Sequence, residues 1–218
     1  LAEPDARTAV VLPALASRRD MLLRCSDDAL RGQGEDCPRP YNISLGTPLA
    51  AQPLIADALA WLDWACASAP MPISRVSERL HSGYWAGRPH LDALSDLDWR
   101  WRNDRRERLS LPVATALARP REGASEGRQR LAAALAGLRL PAGAHQPSDW
   151  AQAFADALAA LGWPDSGSLG SEEYQALQDW QQQLMLLGAL DSILGPLPAR
   201  EALRILREQL TGVVFQPE

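Results

Sequence analysis

The apolar residues of this chain recur mostly with the period of an α-helix. From about residue 48 to residue 211, they fall three or four positions apart and so line one face of each predicted helix. Proline and glycine separate the periodic segments. The predicted helices span about residues 14–30, 48–68, 72–82, 89–109, 110–118, 126–139, 148–162, 171–194 and 198–211. The sequence therefore predicts a mainly α fold, an irregular multi-helix bundle.

Short β-prone runs lie near the two ends of the chain. Residues 9–13 form an apolar run closed by proline, and residues 41–45 form a second run that stops at glycine. A third run, at residues 213–218, has little left in the chain to pair with. We therefore expect two or three short strand remnants, near the N-terminus and at the C-terminus, whose partners lie outside this sequence. Because the first residue is Leu1, we interpret the chain as an excised piece of a longer protein.

Two predicted helices begin with a serine that is followed by carboxylates. Ser148 precedes Asp149, and Ser171 precedes Glu172 and Glu173, an arrangement that satisfies free amide hydrogens at a helix start. The helix from Ser171 also carries a leucine-rich seam, which predicts a central buried helix.

Eight tryptophans are many for a chain of 218 residues. Most of them stand among alanines and leucines, where a large ring fills the space that alanine-rich helices leave, so we expect them in the core. Tyr84 and Trp85 stand in a glycine-flanked turn, and we expect these two rings to be the most exposed.

The ionisable side chains narrow the chemistry that the chain can carry. All 22 basic residues are arginines, against 27 acidic residues. The absence of lysine excludes mechanisms that need one from this chain, such as a phosphate-loop lysine or a Schiff base. Three cysteines at unrelated spacings fit neither a disulfide framework nor a zinc cluster. This cysteine usage fits a reducing cytoplasm best, and with no apolar run of membrane-spanning length we expect no membrane partner.

No group of residues has the spacing of a catalytic motif. The histidines, His81, His90 and His145, fall in different predicted helices or loops, and His81 is better explained as a helix C-terminal cap. The acidic residues between 57 and 98 recur at helical spacing, which is typical of a solvated face. The glycines of residues 162–170 lack the lysine and the strand of a phosphate loop. We therefore predict that the chain alone is not an enzyme and has no cofactor and no metal.

Positive charge is concentrated in one segment. Residues 99–130 contain nine arginines and four acidic residues, whereas the rest of the chain contains 13 arginines and 23 acidic residues. Guanidinium groups bind phosphates, and tryptophan can stack on an unpaired base. The candidate DNA-binding residues are Trp99, Arg100, Trp101, Arg102, Arg105, Arg106 and Arg108. The alternative is a solvated helix with pairs such as Asp104–Arg108 and with its tryptophans buried.

Three segments, taken in order, resemble a known protein family. Residues 8–19 read TAVVLPALASRR, residues 41–49 read YNISLGTPL, and residues 53–59 read PLIADAL. They resemble segments of bacterial DNA-repair proteins of the AddB/RecC-like type. Those proteins combine an inactivated superfamily 1 helicase-like region with a nuclease of the PD-(D/E)XK type. Residues 80–87, LHSGYWAG, are similar to the L-x-S-P-Y turn of that family, with Gly83 where proline is usual.

The resemblance implies a division of the chain. Residues 1–46 correspond to a strand-helix-strand edge of the helicase-like core, and residues 47–218 to a helical insertion comparable to the 2B-type subdomain. The family's nuclease residues and any ATP-binding loop lie outside this piece.

The resemblance also implies a function and partners. It indicates a non-catalytic helical module that guides or holds DNA beside the core. The partners are then DNA, through the parent protein, and the remaining helicase-like and nuclease domains of the same chain. The alternative is a purely structural or protein–protein interaction module without DNA contact.

Overall fold

The computed structural model describes residues 9–13, 15–30, 41, 45–85, 90–165 and 169–216. The chain divides into two units, Leu1–Thr47 and Pro48–Glu218. Helices account for most of the described residues, so the predicted mainly α class is confirmed. The identification of the two parts with a helicase-like edge and an insertion stays a prediction.

The first unit contains the helix α1 (Leu15–Leu30). The Tyr41 hydroxyl donates to Asp27 Oδ1 at 2.6 Å, and Arg19 Nε donates to Leu45 O at 3.1 Å. These two bonds hold Tyr41 and Leu45 against α1.

The strand predicted at residues 9–13 is wrong. These residues have no regular secondary structure apart from a turn at Pro13, and Val10 and Val11 are exposed. A strand needs a neighbouring strand for its backbone hydrogen bonds, and none of the described residues pairs with this run. The second predicted strand, residues 41–45, includes residues 42–44, which lie outside the described residues.

The helices of the second unit follow the predicted order. They are α2 (Pro53–Cys66), α3 (Ile73–Leu80), α4 (Leu91–Asn103), α5 (Leu111–Ala118), α6 (Glu126–Gly137), α7 (Pro147–Leu161), α8 (Ser171–Gly188), α9 (Asp191–Leu194) and α10 (Ala199–Gly212), with a 3₁₀ turn at Leu49–Ala51 before α2. Among the described residues, none of these helices is long and apolar enough to cross a membrane.

Three predicted helices differ from the observed ones. The predicted helix 48–68 begins at Pro53, because a two-residue strand and a 3₁₀ turn occupy residues 47–51. The predicted helix 89–109 ends at Asn103, because Arg105 adopts a left-handed backbone conformation with φ of 51°. The predicted helix 171–194 is divided into α8 and α9. Asp191 at the start of α9 accepts hydrogen bonds from the Ser148 N–H at 2.8 Å and from its hydroxyl at 2.6 Å, which ties α9 to α7.

The serines predicted to cap α7 and α8 lie inside the first turn of each helix. The N-cap residues are Gln146 and Gly170. In both helices, the carboxylate three positions after the cap accepts the N–H of the cap residue. The distances are 3.2 Å from Gln146 N to Asp149 Oδ2 and 2.9 Å from Gly170 N to Glu173 Oε2. The predicted carboxylates therefore stabilise these helix starts, but the predicted hydroxyls do not.

Short strands connect the helices. They are β1 (Thr47–Pro48), β2 (Met71–Pro72), β3 (Arg108–Leu109), β4 (Ala144–His145), β5 (Leu197–Pro198) and β6 (Val214–Phe215). β2 pairs antiparallel with β3, and β4 pairs antiparallel with β5. Each pairing joins loops that are distant in sequence, in the region where sequence analysis expected helices and turns only.

The predicted strand at the C-terminus is confirmed as β6, but its surroundings differ from the expectation. The Leu49 N–H donates to Val213 O at 2.9 Å, and the Phe215 ring is buried in the core. The end of the second unit therefore packs against residues of this chain, and the expected need for outside partners is wrong for this strand.

Tryptophans fill the core of the second unit, as predicted for most of them. The Trp61 ring lies between Trp64 and Trp85, with centroid separations of 6.0 and 5.0 Å. The expectation that Trp85 is exposed is wrong, because its ring packs on Trp61 and its Nε1 donates to Leu80 O at 2.9 Å. The predicted central helix α8 buries Trp180 but leaves Met185 exposed, so only one of its faces belongs to the core.

Candidate nucleic-acid interface

Helix α4 separates the two candidate tryptophans onto opposite faces. Trp99 and Trp101 are two positions apart, which is about 200° around a helix. Trp101 is 1% exposed and packs in the core with Leu94 and Leu97, whereas Trp99 is 64% exposed. Trp99 is thus available to stack on a base, and Trp101 is a core residue that is not available.

Arg100 and Arg102 form ion pairs along α4. Arg100 Nε lies 3.0 Å from Asp96 Oδ1, and Arg102 Nε lies 3.1 Å from Asp98 Oδ2. Both arginine side chains are about half exposed, at 49% and 53%. Exposed pairs of this kind contribute only about 0–1 kcal/mol, because water screens the charges and the side chains lose freedom. The pair of Arg100 with Asp96 is of this kind, so a phosphate can replace that carboxylate at little cost. The Asp98 side chain is only 14% exposed, so its pair with Arg102 is not of this kind.

The turn after α4 carries the other three candidate arginines, and all three are exposed. Arg106 Nε is 3.9 Å from Asp104 Oδ2, which is a long ion pair. Arg108 Nε donates to Pro70 O at 2.9 Å, so Arg108 is directed to a carbonyl and not to Asp104 as the solvated-helix alternative expected. Among the described residues, the Arg105 side chain contacts no carboxylate. The turn therefore presents positive charge that its own acids neutralise only in part.

The left-handed conformation of Arg105 leads to a stability prediction. We expect Arg105→Gly to have a free energy of unfolding about 1 kcal/mol higher than Arg105→Ala, because only glycine adopts a φ of 51° without steric cost. Both variants lose the same charge, so the comparison isolates the backbone. Urea denaturation of the two variants measures the difference. Alanine at least as stable as glycine would show that this residue is not left-handed in solution.

Not every arginine of residues 99–130 belongs to the exposed surface. Arg128 is buried, and its Nη1 donates to Asp96 Oδ2 at 2.7 Å, which ties α6 to α4. Burial lowers the pKa of Arg128, and the neighbouring Arg100 lowers it further, whereas Asp96 opposes both effects. Arg128 is therefore a structural residue. Its partner Asp96 is shared with Arg100, so the carboxylate only partly neutralises each of them.

Asp98 joins α3 to α4 beneath the candidate surface. It accepts a hydrogen bond from the Ser77 hydroxyl, and its Oδ2 lies 3.7 Å from His81 Nε2. His81 is the C-cap residue of α3, which confirms its predicted capping position. Because Asp98 also binds Arg102, this network connects the C-terminal end of α4 to α3.

Sequence analysis missed a second group of arginines, on α10. Arg200, Arg204 and Arg207 are spaced by four and three residues, so they lie on one face of the helix. Together with Asp63 and Cys66, they line a cavity of about 540 Å³ between α2 and α10. The spacing alone places the three arginines side by side. The packing of α2 against α10, however, brings Asp63 to Arg207, 144 positions away, and no pattern in the sequence predicts this contact.

Comparison with protein-family models, with curated proteins and with solved structures found no match to this chain.

Proposed function

We propose that this chain is a non-catalytic helical module of a DNA-repair protein with helicase-like and nuclease domains, and that it holds DNA at the end of α4. The observation that carries the proposal is the exposed Trp99 ring next to exposed arginines. Surfaces that bind single strands combine an aromatic ring, on which a base stacks, with a positively charged groove along the backbone. Trp99 supplies the ring, and the end of α4 with the turn that follows it supplies the positive charge.

The charge of this turn supports the proposal. Residues 102–108 contain four arginines and two acidic residues, Asp104 and Glu107. Arg102 is half exposed and pairs with the mostly buried Asp98, and Arg106 is only weakly paired with Asp104. A phosphodiester that binds here gains charge-assisted hydrogen bonds and displaces weak surface contacts.

The link to a DNA-repair parent rests on the resemblance of residues 8–19, 41–49 and 53–59 to AddB/RecC-like proteins. In such a parent, the helicase-like and nuclease domains of the same chain deliver and cut the DNA. This module then contributes a surface that keeps one strand in place.

Trp99 provides the experiment that tests the proposal. We expect the chain to bind fluorescein-labelled oligothymidylate and forked DNA, and Trp99→Leu to weaken the binding about tenfold. One stacked base contributes about 1–3 kcal/mol to binding, and the free energy that corresponds to a tenfold change in affinity lies within this range. Fluorescence anisotropy at low and at physiological salt measures both affinities, and the affinity of the unaltered chain decreases as salt rises.

Tyr174→Leu is the matched control, because Tyr174 is a similarly exposed aromatic residue on α8. It leaves the affinity unchanged if binding is at α4. No binding at low salt, or equal losses in the two variants, would reject the proposed surface.

A second candidate function is a bracing module that contacts other protein domains and no DNA. Exposed valines at the β-prone runs near the two ends of the chain favour it: they are Val10, Val11 and Val214. This candidate predicts no salt-dependent affinity for DNA, so the same titration distinguishes the two functions.

A further inference from the structure

Three arginines from three different elements meet the short segment of residues 68–71. Arg200 Nη2 on α10 donates to Ser68 Oγ at 2.9 Å, and Arg108 Nε on β3 donates to Pro70 O at 2.9 Å. Arg79 Nη1 on α3 donates to Met71 Sδ at 2.6 Å. Because a chain extends at most about 3.6 Å per residue, the contacted residues lie within about 11 Å of one another. The segment therefore connects the arginine turn after α4 with the arginine face of α10.

The contacts of the two exposed arginines leave their charge uncancelled. Arg108 and Arg200 bind a carbonyl and a hydroxyl, and neither contacts a carboxylate among the described residues. Arg79 is different: burial lowers its pKa, while Asp63, Asp57 and Glu78 favour its charged form. Arg79 thus holds the segment in place, and Arg108 and Arg200 remain able to bind an anion.

The cavity between α2 and α10 has Arg200 among the residues that line it. Its charged lining residues are Arg200, Arg204, Arg207, Asp63 and Glu201, which is three cations against two anions. The Arg207 Nη2 atom donates to both Asp63 oxygens at 2.8 Å, and Arg204 binds Glu201 and the neighbouring Glu208. Arg200 is the lining cation that contacts no carboxylate among the described residues.

The remaining lining adds no negative charge. Burial raises the pKa of the Cys66 thiol to about 11, and Asp63 raises it in the same direction, so the thiol is neutral at physiological pH. The volume of about 540 Å³ is within the range of about 300–1,000 Å³ that small-molecule sites occupy. The cavity can therefore admit a phosphate group together with the sugar that carries it.

We infer that the cavity at Arg200 is a phosphate-binding site, and that it receives a phosphodiester of the strand held at the α4 turn. The strand passes from Arg106 over Arg108 and along residues 68–71 to Arg200. The phosphate chemistry is the same for a free nucleotide, which is the other possible source. The path of the strand rests on the proposed function, whereas the phosphate site itself does not.

Arg200→Gln in the full chain tests the strand path, because it removes the charge and keeps most of the aliphatic stem. We expect its affinity for a long oligothymidylate to fall several-fold, with a salt slope shallower by about 0.7, the contribution of one phosphate on a single strand. An oligothymidylate too short to reach beyond the α4 turn binds both proteins equally. Arg24→Gln, at an exposed position of α1, removes the same charge and leaves the affinity and the slope unchanged. Arg200→Lys restores the slope.

A second arm tests the phosphate site without a strand. Isothermal titration with inorganic pyrophosphate and with thymidine monophosphate is expected to give binding to the unaltered chain that Arg200→Gln abolishes. If the long strand binds with the same affinity and slope to Arg200→Gln, the strand path is overturned while the proposed function stands. If no strand binds but the small phosphates do, the site belongs to a free nucleotide and the proposed function fails. If neither arm responds to Arg200→Gln, the phosphate site is overturned.

Discussion

Replacing Arg102, Arg105 and Arg106 together with glutamine is expected to lower the affinity for single-stranded DNA about a hundredfold at low salt. The three side chains are exposed at the end of α4 and in the turn that follows it. A loss of about 1 kcal/mol per contact, the upper value for an exposed ion pair that water screens, gives about this factor for three contacts. The slope of log affinity against log salt should also become shallower by about 2, because three fewer phosphates are neutralised. Fluorescence anisotropy titrations over a series of salt concentrations measure both quantities.

A triple variant with the same loss of charge is the control for this result. Arg18, Arg24 and Arg139 are exposed and lie outside the arginine-rich segment. Their replacement by glutamine should leave the slope unchanged and reduce the affinity only slightly, through the lower net charge. If the control triple loses as much affinity as the candidate triple, binding follows overall charge and has no site at α4.

Trp150→Ala is expected to lower the free energy of unfolding by about 3–5 kcal/mol, the cost of truncating a fully buried tryptophan. The Trp150 ring stacks on Phe154 with a centroid separation of 5.8 Å and meets the edge of His145 at 5.2 Å. Its Nε1 donates to Leu197 O at 2.6 Å, so the same side chain fastens β5 to α7. The variant loses packing and leaves a buried carbonyl without this donor.

Trp99→Ala is the matched control for stability, since Trp99 is exposed on α4. We expect its free energy of unfolding to change by no more than about 0.5 kcal/mol. Urea denaturation followed by circular dichroism measures both variants. Similar losses in the two would contradict the assignment of Trp150 to the core and of Trp99 to the surface. The pair also distinguishes a folding defect from a DNA-binding defect, because only Trp99 is expected to affect binding.

The helices were predictable because each needs only a local apolar period and a local stop. Gly162 after α7 is such a stop, and the helix predicted over residues 148–162 ends there. Pro53 marks the start of α2, whereas the apolar period alone predicted a start at residue 48. The end of α4 was not predictable in this way, because residues 104–108 keep a helix-compatible composition. The left-handed conformation of Arg105 ends the helix, and arginine is not a residue type that predicts such a conformation.

The short strands were missed for a different reason. Met71 pairs with Leu109, and Ala144 pairs with Pro198, so each two-residue strand depends on a partner far along the chain. Two residues carry no alternating pattern. Only the packing of the helices brings these loops together, and sequence periodicity does not contain that information.

The candidate surface was predictable in position but not in detail. Charge segregation identified the segment, and helical geometry already places Trp99 and Trp101 on opposite faces. The charge count over residues 99–130, however, leaves out Asp96 and Asp98. These two residues lie four positions before Arg100 and Arg102 and bind them. The cavity at Arg200 needs α2 and α10 to pack together, so the sequence could indicate its arginine face but not the cavity.

Photo-crosslinking tests most directly whether a DNA strand lies on the end of α4. A single strand substituted with 5-iododeoxyuridine, bound at low salt and irradiated, crosslinks to an aromatic ring on which the base stacks. Mass spectrometry of the digested complex should then locate the crosslink at Trp99, and Trp99→Leu should abolish it. Crosslinks found only on peptides outside residues 99–108, from a chain that binds the strand, would contradict the proposed site.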